Sequence, residues 1–239
     1  MREQQIKIFC DFDGTITTKD VGEHMFYQFG DSQKAIEIFQ RWLRKEIDSA
    51  QEWTELLALV KNLTENEFNE FLSTIEIRYG FEEFVKFCAD NEIELTILSD
   101  GMDFYIKKIF EINGFQELKF YSNSLIFTDN GPKVSFPYSD EECKACANCK
   151  RNHIIENSGD EDITMYIGDG YSDTCPVQYV DYIFAKETLL KFCEKERISY
   201  FPFKNFKDVI ARISPLLEKS KIKKRHQAEL KRKAVYAQG

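Results

Sequence analysis

The stretch from Ile6 to Ile16, Ile-Lys-Ile-Phe-Cys-Asp-Phe-Asp-Gly-Thr-Ile, constrains the fold more than any other part of the chain. An apolar, β-branched run leads directly into two aspartates one residue apart, followed by Gly14 and Thr15. Such a run reads as a buried strand whose carboxyl end opens into a tight loop. In open α/β sheets, ligands bind in the crevice beyond those strand ends. Two carboxylates crowded there repel each other and lose solvation, so a cation or a catalytic task is needed to keep them.

The totals fit that reading. A chain of 239 residues can bury a full core, as one domain with a large insertion or as two small ones. Hydrophobic content of 43%, with 21 Phe, describes a folded globule and not a disordered chain. A formal net charge of -9 argues against nucleic acid as a partner of the body of the protein. No apolar stretch reaches the length of a bilayer span, and Met1 to Gln5 do not form a signal peptide. Seven cysteines, an odd number, suggest reduced thiols. The expectation is a soluble cytoplasmic protein, monomer or homodimer, with no membrane partner.

From Thr17 to Ile77 the signals are helical only. Asp31-Ser32 can cap a helix through Ile36, Phe39, Trp42 and Leu43, and Asp48-Ser49 another through Trp53, Leu56, Leu57 and Val60. Thr64-Glu65-Asn66-Glu67 fits a capping box ahead of Phe68, Phe71 and Leu72. A helical block of this size, starting right after the acidic loop, suits a lid over the strand ends. From Phe81 onward helices alternate with strands: a helix to Asp90, a strand Glu94–Leu98 ending at Ser99-Asp100-Gly101, and a helix Met102–Asn113 stopped by Gly114. A hairpin over Lys119–Phe136, turning at Thr128–Gly131, is followed by a cysteine-rich loop and a short helix over Lys150–Asn157. A strand Thr164–Ile167 ends at Gly168-Asp169-Gly170-Tyr171-Ser172-Asp173. A helix to Val180, a strand Tyr182–Ala185 and helices over Thr188–Glu196 and Asn205–Leu217 complete the pattern. This rhythm predicts an α/β fold, a Rossmann-like core with a parallel sheet and an inserted helical cap. The predicted division is a core of residues 1–16 and 78–218, a cap over 17–77 and a basic tail over 219–239.

Three strand ends thus carry polar groups: Asp11 with Asp13, Ser99 with Gly101, and Asp169 with Asp173. In a parallel sheet they open on one edge. Clustered carboxylates there suit Mg²⁺, which takes oxygen ligands and keeps waters for a phosphate partner. Asp11 can attack phosphorus to give an aspartyl phosphate, and Asp13 can move the proton of the leaving oxygen and of water. Ser99 and nearby N–H groups can hold phosphate oxygens, while Lys150 offsets charge.

Asp11-Phe-Asp-Gly-Thr15, Ser99, Lys150 and Gly168-Asp169-x-x-x-Asp173 resemble, in order, the four motifs of the haloacid dehalogenase superfamily. The insert after the first motif is similar to the cap of its phosphoserine-phosphatase-like group. The resemblance implies Asp11 as nucleophile and Mg²⁺ ligand, and Asp13 as acid/base that also binds metal through its backbone carbonyl. It implies Ser99, with Asp100 and Gly101 beside it, as phosphate or substrate binder, and Lys150 as charge stabiliser. Asp169 is implied as a metal ligand and Asp173 as a supporting acid, counted with Asp11, Asp13 and Asp169 among the metal-site residues. Asp20, nine residues after the nucleophile, occupies the place of a substrate-contacting acid in phosphoserine-phosphatase relatives. Ser99–Phe104, the Cys143–Lys150 loop and Phe184–Leu189 further resemble phosphatases of methionine salvage, with Asp100 a departure where their pattern has Gly. The implied activity is hydrolysis of a small phosphomonoester. Phosphoserine, phosphoethanolamine, phosphocholine and pyridoxal phosphate are alternative substrates, and phosphoryl transfer is an alternative reaction.

Other features have simpler readings beside the functional one. Glu23 and His24 can touch substrate, although a solvated helix face also explains them. Phe26, Tyr27, Phe29, Phe39 and Trp42 read mainly as cap core. Cys143, Cys146, Cys149 and His153 form a possible zinc set. Thiols in a reduced loop are the preferred reading, because the spacers are short and Lys150 lies among them. The tail Lys219–Lys233, with eight Lys or Arg against one acid, reads as a solvated or frayed helix.

Overall fold

Strand β1 (Ile6–Cys10) runs through the middle of a seven-stranded sheet in the computed structural model, which describes residues 4–60, 63–128, 131–140 and 146–236. The other strands are β2 (Glu94–Met102), β3 (Lys119–Thr128), β4 (Gly131–Ser135), β5 (Ile163–Gly168), β6 (Tyr182–Ala185) and β7 (Phe201–Pro202). Their order is β4-β3-β2-β1-β5-β6-β7, parallel throughout except for the antiparallel β3–β4 hairpin. The hairpin's turn residues 129 and 130 lie outside the described residues. The central strands are apolar on both sides because both faces are covered. Ile8, Ile97, Met165 and Phe184 belong to one buried cluster, and their chain neighbours Phe9, Leu98, Tyr166 and Ile183 to another. That two-residue alternation is the strand pleat read in packing.

Helices α1 (Val21–Phe29), α2 (Ser32–Leu43), α3 (Ser49–Leu57) and α4 (Glu65–Leu72) form the cap, inserted between β1 and α5 (Phe81–Asp90). The chain leaves and rejoins the core at an antiparallel bridge between Thr17 and Ile77. Asp31, Asp48 and Thr64 cap their helices as the sequence predicts, the last two with reciprocal capping boxes. The first cap helix has no separate sequence expectation; Asp20 caps it by accepting from Glu23 N at 2.8 Å. On α2, Ala35 and Ile38 are buried, whereas Ile36 and Leu43 are exposed.

Helices α6 (Asp103–Asn113), α7 (Lys150–Glu156), α8 (Glu187–Glu196) and α9 (Phe206–Leu217) follow the expected places. The helix expected to run to Val180 is instead two short 3₁₀ segments, Ser172–Thr174 and Pro176–Tyr179. Pro176 has no N–H with which to continue an α-helical ladder. No helix among the described residues is long and apolar enough to cross a membrane.

The basic tail departs most from expectation. It forms α10 (His226–Tyr236), whose one side, with Ala228 and Arg232, is docked on the core while residues such as Leu230 and Lys233 stay exposed as expected. Buried Arg232 bonds Thr164 Oγ1 at 3.1 Å and the Tyr179 carbonyl, and pairs with Asp181 Oδ1 at 3.3 Å. Asp181 also accepts from Thr164 N and Arg225 N, so the helix is tied to β5 and to the turn before β6. Removing one partner of such a pair strands a buried charge. Arg232→Ala should therefore lower unfolding stability by about 3 kcal/mol in urea titration, and an unchanged midpoint would show that the helix is not a structural anchor.

Candidate active site

Asp11 follows β1, Asp169 follows β5, and Ser99–Gly101 lie where the β2–β3 register shifts between Leu98 and Met102. The parallel topology brings all three to one sheet edge beneath the cap. Gly14 makes the first loop possible: its φ is +72°, and a Cβ there would lie 2.6 Å from Asp169 Oδ2. Arg78, at the end of the cap insertion, holds the loop by donating to the carbonyls of Gly14, Thr15 and Thr17 at 2.6–3.1 Å.

The centre is a buried ion cluster. Lys150 Nζ reaches Asp11 Oδ1 at 2.6 Å, Asp173 Oδ1 at 2.8 Å and Ser172 Oγ at 3.2 Å. Burial opposes the ammonium, but the two carboxylates outweigh it and hold the Lys150 pKa well above its ordinary value. Asp173 also accepts from Tyr166 OH and from the N–H groups of Asp169 and Gly170, so its oxygens are fully engaged. Asp169 accepts from Thr15 Oγ1 at 2.6 Å, with Lys186 Nζ 3.7 Å from its other oxygen. Asp11, Asp169 and Asp173 present oxygens within 4.8 Å of one another. Burial and then the Asp173 charge push Asp169 up to about 6 and Asp11 well above the carboxylate range. Two ammoniums, Lys150 and the more distant Lys186, do not balance three carboxylates, and the excess negative charge fits a divalent cation.

Asp13 stands apart from that cluster. Its Oδ2 accepts from Ser99 Oγ at 3.0 Å and Tyr105 OH at 2.8 Å, and its Oδ1 from Val21 N at 3.1 Å. Burial raises its pKa despite these bonds. Ser99 is fully buried, with its hydroxyl turned to Asp13 and accepting from Gly101 N. A Cβ on Gly101 would overlap the Tyr105 hydroxyl, which explains a glycine there.

A cavity of about 450 Å³ separates this edge from the cap. Asp11, Asp13, Asp20, Glu23, Asp100, Gly101 and Asp169 line it, whereas Ser99, Lys150 and Asp173 lie behind its wall. Tyr27 OH donates to Glu23 at 2.6 Å. Phe26, Phe39, Trp42 and Trp53 form an aromatic side of the cavity, so three of the rings read as cap core also face the site. Exposed Tyr27 does not belong to that core. Asp100 faces the cavity but is bonded by Ser49 Oγ from α3 and by Asn148 N at 2.8 Å. These donors answer the cost of an extra carboxylate and tie the cap to the core.

Sequence reasoning missed several groups. Tyr105 and Arg78 act through contacts between distant segments, which no local pattern signals, and Thr15, although quoted within the first motif, has its role only through Asp169. Lys186, inside the Phe184–Leu189 motif, could have been found by asking why a lysine directly follows a strand end. Glu52 is a buried cap carboxyl lining the cavity. Cys143 of the zinc set lies outside the described residues, and His153 Nε2 is engaged by Asn148 Oδ1 at 2.6 Å.

Burial, then the charges of Asp100 and Asp20, push Glu52 up to about 9. Between its ordinary 4.5 and about 9 the folded protein keeps a proton that the unfolded chain releases, so this group weakens stability as pH rises through that window. Glu52→Gln should thus be more stable than the parent by about 2 kcal/mol at pH 8, with the gap closing below pH 4.5. Parallel stability curves for the two proteins would contradict the assignment.

Residues 6–189 match the family described as Putative Phosphatase. The 2-hydroxy-3-keto-5-methylthiopentenyl-1-phosphate phosphatase of Bacillus mycoides is 34% identical over 216 residues, 89% of this chain and 98% of that protein. Its Bacillus cereus counterpart is 33% identical over the same shares. A phosphoserine phosphatase solved as a phospho-aspartyl intermediate analogue superposes with a TM-score of 0.67, covering 88% of this chain and 99% of its own, at 17% identity. That likeness concerns the fold. With its strand-end aspartates and inserted cap, the chain belongs to the Putative Phosphatase family and is a phosphoric monoester hydrolase, built on a fold of the haloacid dehalogenase type.

Proposed function

We propose that the chain hydrolyses a small phosphomonoester through a phosphoaspartyl intermediate on Asp11, with magnesium as the cation. The observation that carries this reading is the pairing of two unlike aspartates. Asp11 lies against Lys150, and Asp13 is held by Ser99, Tyr105 and Val21 with its pKa raised by burial. Asp11 attacks phosphorus as the bond to the leaving oxygen breaks, and Asp13 gives that oxygen its proton. Asp13 then takes a proton from the water that cleaves the acyl phosphate.

Magnesium held by Asp11, Asp169 and the backbone carbonyl of Asp13 would offset the charge of carboxylates and phosphate. Lys150 offsets the remainder beside Asp11. Asp173, with its oxygens engaged, keeps Lys150 and the Asp169 loop in place and is not itself a ligand. Ser99 holds Asp13 and reaches phosphate only if its hydroxyl turns.

The favoured substrate is 2-hydroxy-3-keto-5-methylthiopentenyl-1-phosphate, the substrate in the names of relatives that align over nearly their whole length. The aromatic wall of Trp42, Trp53 and Phe39 suits the apolar end of such a molecule. Phosphate release should be faster with this compound than with phosphoserine, and it should fall to background on chelation of divalent cations and in Asp11→Asn. Full turnover by folded Asp11→Asn would remove the mechanism, and a preference for phosphoserine would remove the substrate assignment.

A further inference from the structure

The register shift in β2 leaves the Ser99–Gly101 strand end without a regular ladder to β3. Buried backbone carbonyls there need other donors. Asn148 supplies two: its Nδ2 donates to Ser99 O at 2.7 Å and to Tyr121 O at 3.0 Å, bridging β2 and β3. Its backbone N–H donates to Asp100 Oδ1. One residue, two positions before Lys150, therefore holds the strand end that presents Ser99 and Asp100.

Both amide hydrogens of Asn148 face carbonyls, so its Oδ1 can only accept. The acceptor lies 2.6 Å from His153 Nε2, one turn further along the chain on α7. This places a hydrogen on Nε2 of the imidazole. At the other nitrogen, Nδ1 is buried and has no hydrogen-bond partner among the described residues, so a hydrogen there would be left unpaired. Burial, and then the charge of Lys119, lower the His153 pKa to about 4, so the ring is neutral near pH 7. Tyr121 stacks on the ring with centroids 4.1 Å apart, and Tyr138 meets it edge-on at 4.8 Å. The ring cannot swing away without opening this aromatic packing.

We propose that His153 is a positioning residue for the phosphatase reaction: through its Nε2–H it fixes the Asn148 amide, and thereby the strand end carrying Ser99 and Asp100. The inference rests on the phosphatase reading of the site. Without the His153 donor, Asn148 Oδ1 is left buried and unpaired. The amide then turns or admits water at the expense of its bonds to Ser99 and Tyr121. The displacement reaches Asp13 through Ser99 Oγ and the cap through the Asp100–Ser49 bond. It also accounts for a histidine in the cysteine-rich segment without invoking a metal.

The test compares His153→Phe, which keeps a ring between the tyrosines without a donor, with His153→Gln, which restores an N–H. The probe is p-nitrophenyl phosphate, and the readouts are kcat, KM and melting temperature. His153→Phe should lose about tenfold in kcat with a smaller change in KM, while His153→Gln stays within about twofold of the parent. A merely structural histidine would lower melting temperature in both variants and leave kcat per folded enzyme unchanged, and that result overturns the proposal. Independently, ¹⁵N-histidine spectra of the unaltered protein at neutral pH should place the His153 proton on Nε2. A proton on Nδ1 overturns the proposal even if His153→Phe fails to fold. If the unaltered enzyme does not turn over the probe with magnesium present, the activity reading fails, while the tautomer still decides the position of the proton.

Discussion

The contact on which the rest depends is the buried Lys150 ammonium between Asp11 and Asp173. Its three members come from the end of β1, the start of α7 and the 3₁₀ turn after β5. None is near another in sequence, and all are nearly inaccessible to solvent. Moving such charges out of water costs several kcal/mol each, and mutual attraction repays this only when the remaining hydrogen-bonding positions are filled. Asp173 meets that condition with four donors. Asp11 has its Lys150 bond and an oxygen facing the open cavity, which leaves one carboxylate of the cluster available for chemistry.

The same economy links cap to core. Asp13 accepts from Val21 N at the first turn of α1, so the proton-carrying candidate also anchors the cap. Arg78 binds the loop from the other end of the insertion, and Ser49 reaches Asp100 across the cleft. A movement of the cap therefore changes the surroundings of Asp13 and Asp100 directly. Such coupling is the physical requirement for a lid that excludes water during one step and admits it in the next.

Much of this was legible in the sequence because it depends on local pattern. The short β-branched run Ile6–Cys10, broken by an acidic Gly-containing loop, reads as a buried strand, and Gly168-Asp169-x-x-x-Asp173 marks a second strand end by the same logic. Caps at Asp31, Asp48 and Thr64 were legible because each is satisfied within its own first turn. What failed depended on partners far along the chain. A basic run reads as solvated unless an acid is known to wait for it, and Arg232 meets Asp181 51 residues away. Capping and apolar residues mark α2 as a helix but do not say which face the cap buries, and Ile36 and Leu43 are exposed where Ala35 and Ile38 are buried. Pro176, with no N–H to donate, is a local signal against a continuous helix there.

The central claim is that Asp11 is the nucleophile, distinguished from Asp13 by its environment. It is tested most directly by mixing enzyme and substrate in equal amounts, quenching in acid within the first turnover and sequencing the peptides by mass spectrometry. The account predicts a phosphate adduct on Asp11 that hydroxylamine removes and that is enriched in Asp13→Asn. An adduct on any other residue, or complete product formation with Asp11 unmodified throughout, would contradict it.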